Sequence, residues 1–311
     1  MAHGSKKVIY AALVGNSFIA VTKFIAASMT GSSAMLSEAI HSCVDTGNQG
    51  LLLYGLHRAK RKSDAAHPFG YAQEIYFWAF VVAILIFALG SGLSLYEGIH
   101  KVQHPEPVTS AFINYIVLGL AMIFEGVAWA IAFREFNSRR GKRSILRAIK
   151  DAKDPSIMTV LLEDTAAMMG LMVAFGGIFA AQVLDMPVLD GVASIVIGVI
   201  LAGAAIILGW ETKSLLIGEA ASSETLHSLE VLVHGVPGVS AVNEILTMHL
   251  GPEDILVNVS LDFEDDLTAG EIEETVTRLE KRIRSVHPEV SRIFIEVQSA
   301  AGHHEMRPHQ P

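Results

Sequence analysis

The stretch EAIHSCVDTGNQG (residues 38–50) decides how this chain is read, because it places His41 and Asp45 four residues apart inside one of its most apolar regions. A charged side chain at the centre of a bilayer costs about 3 kcal/mol on insertion scales. An ionisable pair in a membrane helix therefore reads as a functional site.

Composition makes the case for the membrane. The 311 residues are 51% hydrophobic and 18% charged, with a mean hydropathy of +0.43, more apolar than an ordinary soluble domain. Long, nearly uncharged runs occur at 8–30, 33–56, 75–99, 110–133, 156–181 and 188–210. Each is long enough to span a hydrocarbon core of about 30 Å at about 1.5 Å per residue. The spacing predicts a membrane α-helical bundle of six transmembrane helices over residues 1–210. Past Trp210 the charge changes: residues 211–311 carry 18 acidic and 7 basic side chains, whereas residues 1–210 carry 14 and 16. That shift predicts a second, soluble domain over 211–300.

Lysine and arginine set the expected orientation. Lys6 and Lys7 precede helix 1, RAKRK (58–62) follows helix 2, and RRGKRSILRAIKDAK (139–153) with Arg134 follows helix 4. On the other side MTGSS, HKVQHPEPVT and LDMP contribute only Lys101. Both termini are expected in the cytoplasm. Helix 1 is too long for a signal peptide and lacks a small-residue cleavage site. Compact loops favour a bacterial inner membrane. Lys23 is expected to snorkel toward the outer interface, and the single cysteine, Cys43, excludes an internal disulfide framework.

The second domain reads as α+β. A helical pattern at 223–234 is followed by alternating runs at 241–250 and 255–264, the amphipathic helix AGEIEETVTRLEKRIRSV (269–286) and a last strand at 292–298. The order αββαβ suggests a cytoplasmic ferredoxin-like layer with helices on one face. GHHEMRPHQP (302–311), with His303 and His304, reads as part of a disordered, solvated tail over 301–311.

Positions i and i+4 of a helix share a face, so His41 and Asp45 offer a nitrogen and an oxygen to one point in space. Such donors suit zinc or another first-row divalent ion. Cys43 falls on the far side of the helix. Partners are expected from helix 5, where Glu163 and Asp164 in VLLEDTAAMMG lie about 15 Å in, near the depth of Asp45. Neighbours on a helix diverge by about 100°, so one of the two is the direct ligand. Glu125 in helix 4 is a candidate proton relay. GSGLSLYEG (90–98) has small residues at close-packing spacing, suiting a helix–helix or dimer contact.

HSCVD in helix 2, HPFGYAQE before helix 3, the basic loop before helix 5, Asp190 at the start of helix 6 and the αββαβ tail together resemble the cation diffusion facilitator family over residues 8–299. The resemblance implies a homodimer in lipid that exchanges a divalent metal ion, zinc first among them, for protons by alternating access. No enzyme activity, cofactor or nucleic-acid partner is implied. The family's helix 5 pattern sets His or Asp four residues before an Asp. With Asp164 second, the first member falls on Val160; with Glu163 first, the second falls on Ala167. This departure is similar to the subgroup that includes the vertebrate zinc transporter nine. Because Asp164 keeps the family's carboxylate position, its loss is expected to be more damaging than that of Glu163. A second metal site, in the loop between helices 2 and 3, is present in part as Asp64 and His67, with Tyr71 where the family often has His. The tail's binuclear site is unmatched, Ser260 standing at a ligand place and His249 reading as a surface or interface residue.

Two other function classes share part of this pattern. An intramembrane metalloenzyme would need an open metal position with a general base, and no H-E-x-x-H occurs. A metal-binding scaffold that transports nothing would leave the midplane pair without a purpose. Zinc, iron, manganese, cobalt and cadmium all suit a His-plus-carboxylate site. The driving force follows from His41, since a neutral imidazole binds metal and its protonated form does not.

Overall fold

In the computed structural model, residues 2–140 and 155–306 are described, together with their side chains other than those of 2–15, 135, 138, 139 and 155–157. The described residues divide into two compact units, one of residues up to 60 and 74–213, the other of 61–73 and those from 214 onward. Most of the basic loop expected before helix 5 lies outside the described residues.

The first unit is helical: α1 (Ala2–Thr30), α2 (Ser33–Ala59), α3 (Glu74–Gln103), α4 (Ala111–Arg140), α5 (Pro155–Val183) and α6 (Val188–Leu216). Among the described residues, α3 to α6 are long and apolar enough to cross a membrane. The run of α2 is broken by Glu38, His41, Asp45 and Asn48, all buried. Bulky apolar side chains such as Phe18, Phe112, Ile123, Phe124 and Trp210 point outward, as a lipid-facing surface requires.

The α1–α2 hairpin turns at Gly31, whose φ of 66° suits a residue without Cβ. Lys101 Nζ, near the end of α3, donates to the Gly31 carbonyl at 2.7 Å and is a buried clamp on the turn. The start of α2 is held by Ser32, which accepts from the Met35 N–H, and from across the bundle by Asp190. The Asp190 carboxylate accepts from Ser32 Oγ at 2.6 Å, from the Ser33 N–H at 2.7 Å and from Ser33 Oγ at 3.2 Å. A carboxylate at a helix N-terminus meets both unpaired N–H groups and the positive end of the dipole. This contact ties α6 to α2 and sets the height of the α2 side chains.

Small residues join α3 to α6 within the chain. Helix α3 contains a π-helical turn at Ile86–Ser91. Beyond it Gly98 lies so close to α6 that a Cβ there would stand 2.7 Å from Ile195 N and 2.8 Å from the Gly191 carbonyl. Ser194 Oγ donates to the Ser94 carbonyl at 2.9 Å and also meets Ser37 Oγ. The GSGLSLYEG stretch is thus used between helices of one chain.

The second unit holds α7 (Ser223–His234), β1 (Val239–Gly251), β2 (Asp254–Phe263), α8 (Ala269–Val286), β3 (Val290–Val297) and α9 (Ala300–Met306). The sheet order is β1-β2-β3, with β1 antiparallel and β3 parallel to β2. Parallel strands need a crossover, and α8 supplies it. Thr268 and Glu271 cap α8 reciprocally in a capping box. Alternate residues of β2, Val257, Val259 and Leu261, meet Leu229 and Val233 of α7 and Leu279 and Ile283 of α8 in one core.

Two expectations change here. Residues 300–306 form a helix, held by Asp262 Oδ2 accepting from the Ala300 N–H at 2.9 Å and Ser299 Oγ accepting from the Gly302 N–H at 3.1 Å. His303 Nδ1 lies 3.1 Å from Gln298 Oε1, so that side chain is packed, while 307–311 lie outside the described residues. His249 is buried, not a surface group, with Nδ1 at 3.1 Å from the Gly251 carbonyl.

Adding bulk between α3 and α6 should destabilise the helical unit. Gly98→Ala is expected to cost about 1–3 kcal/mol and lower the melting temperature of the detergent-solubilised protein. Gly119→Ala, where a Cβ meets nothing within 4 Å, should leave it unchanged.

Candidate metal site

The spacing of Glu38, His41, Ser42, Asp45 and Asn48 puts all five on one face of α2, and all five are buried. His41 Nδ1 stands 3.3 Å from Asp45 Oδ1, outside hydrogen-bond geometry. Among the described residues His41 Nδ1, His41 Nε2 and Asp45 Oδ1 have no hydrogen-bond partner. Unpartnered polar atoms in a protein interior are costly, and such sites call for a specific explanation. One turn further, Asn48 Nδ2 donates to Glu163 Oε1 of α5 at 2.8 Å. The structure therefore brings Glu163 to α2, fully inside the bundle, whereas Asp164 is half-buried beside it. Among the described residues no three His, Cys, Asp or Glu side chains converge closely enough to hold an ion, so α2 supplies a two-ligand pair with Glu163 adjacent through Asn48. Cys43 is exposed on the opposite side.

Lys23 does not snorkel. It is wholly buried, with Nζ 3.1 Å from Glu38 Oε2 and 2.7 Å from Ser42 Oγ. Antiparallel packing of α1 on α2 turns it inward, where an acidic partner replaces the water it would otherwise seek. Glu38 Oε1 has no hydrogen-bond partner among the described residues and lies against Gly170 of α5, where a Cβ would collide with it. Glu125 is also buried, and its charge and those of Lys23, Glu163 and Asp164 all act on Asp45. Glu38, Asn48 and the inward Lys23 escaped the sequence reading. Glu38 and Asn48 lie three residues before and after the pair, so the helical repeat held the signal.

The loop at 61–73 belongs to the second unit. Asp64 Oδ1 accepts from the N–H groups of Ala66 at 3.0 Å and His67 at 2.8 Å, and Oδ2 accepts from the Tyr71 hydroxyl at 2.6 Å. His67 Nδ1 stands 3.5 Å from Asp64 Oδ1, and both residues are exposed. The carboxylate is engaged in ordering its own loop. The Arg61 guanidinium stacks over Tyr71 and that of Arg292 over Phe69, and Arg292 Nη2 donates to the Pro68 carbonyl at 3.1 Å.

Tyr71 first, then the backbone N–H of His67, holds the Asp64 carboxyl below its ordinary value. A depressed folded value means that this support for the loop is complete above the ordinary aspartate range, about 3.9, and is lost as pH falls through the folded value. Tyr71→Phe should raise the Asp64 titration toward the ordinary range, observed by carboxyl carbon NMR. An unchanged titration would deny the hydroxyl this role.

Residues 9–217 match the family described as Cation efflux transmembrane domain, and residues 221–300 match the Cation efflux protein, cytoplasmic domain. Among curated relatives, the mitochondrial proton-coupled zinc antiporter SLC30A9 of Homo sapiens is 28% identical over 94% of this chain and 59% of its own length. Metal tolerance protein C4 of Arabidopsis thaliana is 28% identical over 83% of this chain and 57% of its own. The cation-efflux pump FieF of Escherichia coli O1:K1 / APEC is 24% identical over 84% of each. The chain spans about three fifths of the length of the first two. With a helical membrane unit followed by a small α/β unit, and with the family match covering most of the first, the chain belongs to the cation efflux family of multi-pass membrane transporters.

Proposed function

We propose that this chain exports a divalent metal ion, zinc first, from the cytoplasm in exchange for protons. The observation that carries the reading is the buried His41–Asp45 pair, of which both His41 nitrogens and Asp45 Oδ1 have no hydrogen-bond partner among the described residues, with Glu163 of α5 bonded to the same face of α2 through Asn48. A divalent cation satisfies these atoms and offsets their burial, which neither a structural polar contact nor an apolar packing role does. The names of the human relative, a proton-coupled zinc antiporter, and of the bacterial one, a cation-efflux pump, support the same direction.

Six spans over residues 1–210, with both termini and the 211–300 ferredoxin-like domain in the cytoplasm, fit the charge pattern of the loops and the helices α1 to α6. The chain works as a homodimer in a bacterial inner membrane by alternating access. His41 and Asp45 hold the ion and Glu163 joins them as the helices move through the alternating-access cycle, Asp164 borders the site, and Glu125 passes protons. Geometry thus favours Glu163 over Asp164 as the α5 ligand, because Asn48 aims its carboxylate at the α2 face. The Asp64–His67 loop is left outside the transport path, since Asp64 is occupied by Tyr71 and by backbone N–H groups.

Zinc flux into sealed vesicles holding the reconstituted full chain tests this. His41→Ala and Asp45→Asn should each reduce flux to background while the protein still elutes as a folded species. Glu163→Gln should reduce flux by about tenfold or more, and Asp164→Asn by less. An imposed proton gradient should drive zinc against its own gradient. Wild-type flux in both α2 variants would end the site assignment, and flux blind to the proton gradient would end the coupling.

A further inference from the structure

We propose that Lys23 is a tethered cation that competes with the transported ion for the buried carboxylates and speeds its release. The inference rests on the metal-export reading above and adds a residue to it. Lys23 Nζ lies against Glu38 and Ser42, the α2 positions on either side of His41 along the same face. Ser42 lies beside His41 in sequence and three residues before Asp45, so the ammonium is held within one turn of both members of the pair. Bulk solvent does not reach the ammonium, because Lys23 and Glu38 are both wholly buried. Charges in such surroundings interact strongly over several ångströms.

The position of the ammonium is directional. Counted from the hairpin turn at Gly31–Ser32, Glu38 is about 9 Å deep, His41 about 14 Å and Asp45 about 20 Å, at about 1.5 Å per residue. At the turn itself a cavity of about 220 Å³ opens, lined by Gly31, Ser32, Leu36, Glu97, His100 and Glu106 among others. The Lys23 ammonium, bonded to Glu38 and to Ser42 one residue past His41, stands level with His41 and nearer this mouth than Asp45. A divalent ion at the His41–Asp45 pair therefore has beside it a positive charge that is held by one carboxylate. Lysine reaches on a flexible stem of four carbons, so the ammonium can exchange partners without helix movement. Glu38 keeps a second oxygen, Oε1, without a hydrogen-bond partner among the described residues, as an alternative acceptor for a cation.

The two halves of the pair then have opposite effects on the metal. Removing the lysine removes the competitor, and removing the glutamate releases the lysine toward Asp45. A purely structural ion pair behaves differently: losing either half leaves a buried unpaired charge and harms the protein alike, and removing both restores it.

The full chain in detergent, titrated with zinc alone, separates these cases, with flux measured in parallel in reconstituted vesicles. Lys23→Met should bind zinc about tenfold tighter and transport it more slowly. Glu38→Gln should bind about tenfold weaker, and Lys23→Met with Glu38→Gln together should remain tighter than wild type. Lys23→Arg, which keeps the charge, should stay near wild type in affinity. Weaker binding in both single variants with recovery in the double variant would overturn the proposal and leave Lys23 as structural. If Lys23→Met fails to fold, the double variant, which buries no unpaired charge, decides by the same comparison. Absence of zinc binding and flux in the wild type would instead overturn the export reading itself.

Discussion

The helical unit is governed by the need to keep one face of α2 out of lipid. Glu38, His41, Asp45 and Asn48 are affordable in a membrane only if neighbouring helices supply partners, and each neighbour does so differently. Helix α1 sends Lys23 to Glu38, α5 sends Glu163 to Asn48, and α6 sends Asp190 to the first N–H groups of α2. Removing one member of a buried pair costs about 3–5 kcal/mol, so these contacts specify where α2 sits as much as how firmly. Among the described residues, the atoms without a hydrogen-bond partner on this face of α2 are those of His41 and Asp45 together with Glu38 Oε1 and Asn48 Oδ1, and His41 alone has both of its polar side-chain atoms among them.

Much of this was legible from residue order. Helix positions follow from apolar runs, and the tail helices at 223–234 and 269–286 and its three strands follow from repeat length and turn residues. The His41–Asp45 pair shows itself because both members lie on one helix, where spacing alone gives geometry. Lys23 and Glu38 are 15 residues apart on different helices, and spacing says nothing about which way α1 is rotated. Seven residues from the end of α1, a lysine could as well have reached the interface. Which of Glu163 and Asp164 faces α2 has the same origin, since a rotation of about 100° exchanges them and only the Asn48 contact shows that it is Glu163. His303 was hidden for another reason: its helix depends on Asp262 and Ser299, whose roles as caps cannot be seen in composition.

In the second unit the same residue types meet water, and the outcome differs. Asp64, His67 and Tyr71 have the look of a ligand set, yet Asp64 spends its oxygens on its own loop and on the Tyr71 hydroxyl. An exposed carboxylate next to unpaired N–H groups organises a turn by default. Arg292 then fastens that turn to the sheet by stacking on Phe69 and donating to Pro68. Ligand-like composition is thus informative inside the bundle, where burial makes an unpartnered oxygen expensive, and weak in the loop, where it does not.

Charge balance explains why such a bundle suits exchange. Glu38, Asp45, Glu125, Glu163 and Asp164 lie on three helices of one bundle, four of them buried and Asp164 half-buried, and Lys23 is the resident cation acting on Asp45 among them. Their negative charge cannot stand uncompensated at low dielectric, so positive charge must be present in every state of the cycle, as bound metal or as protons. In the proposed export cycle a metal ion that leaves must be replaced, and protons are a replacement that needs no cavity of its own. In the proposed exchange, competition between the two then follows from burial, since groups that are proposed to hold the ion are also groups that can take protons when it goes.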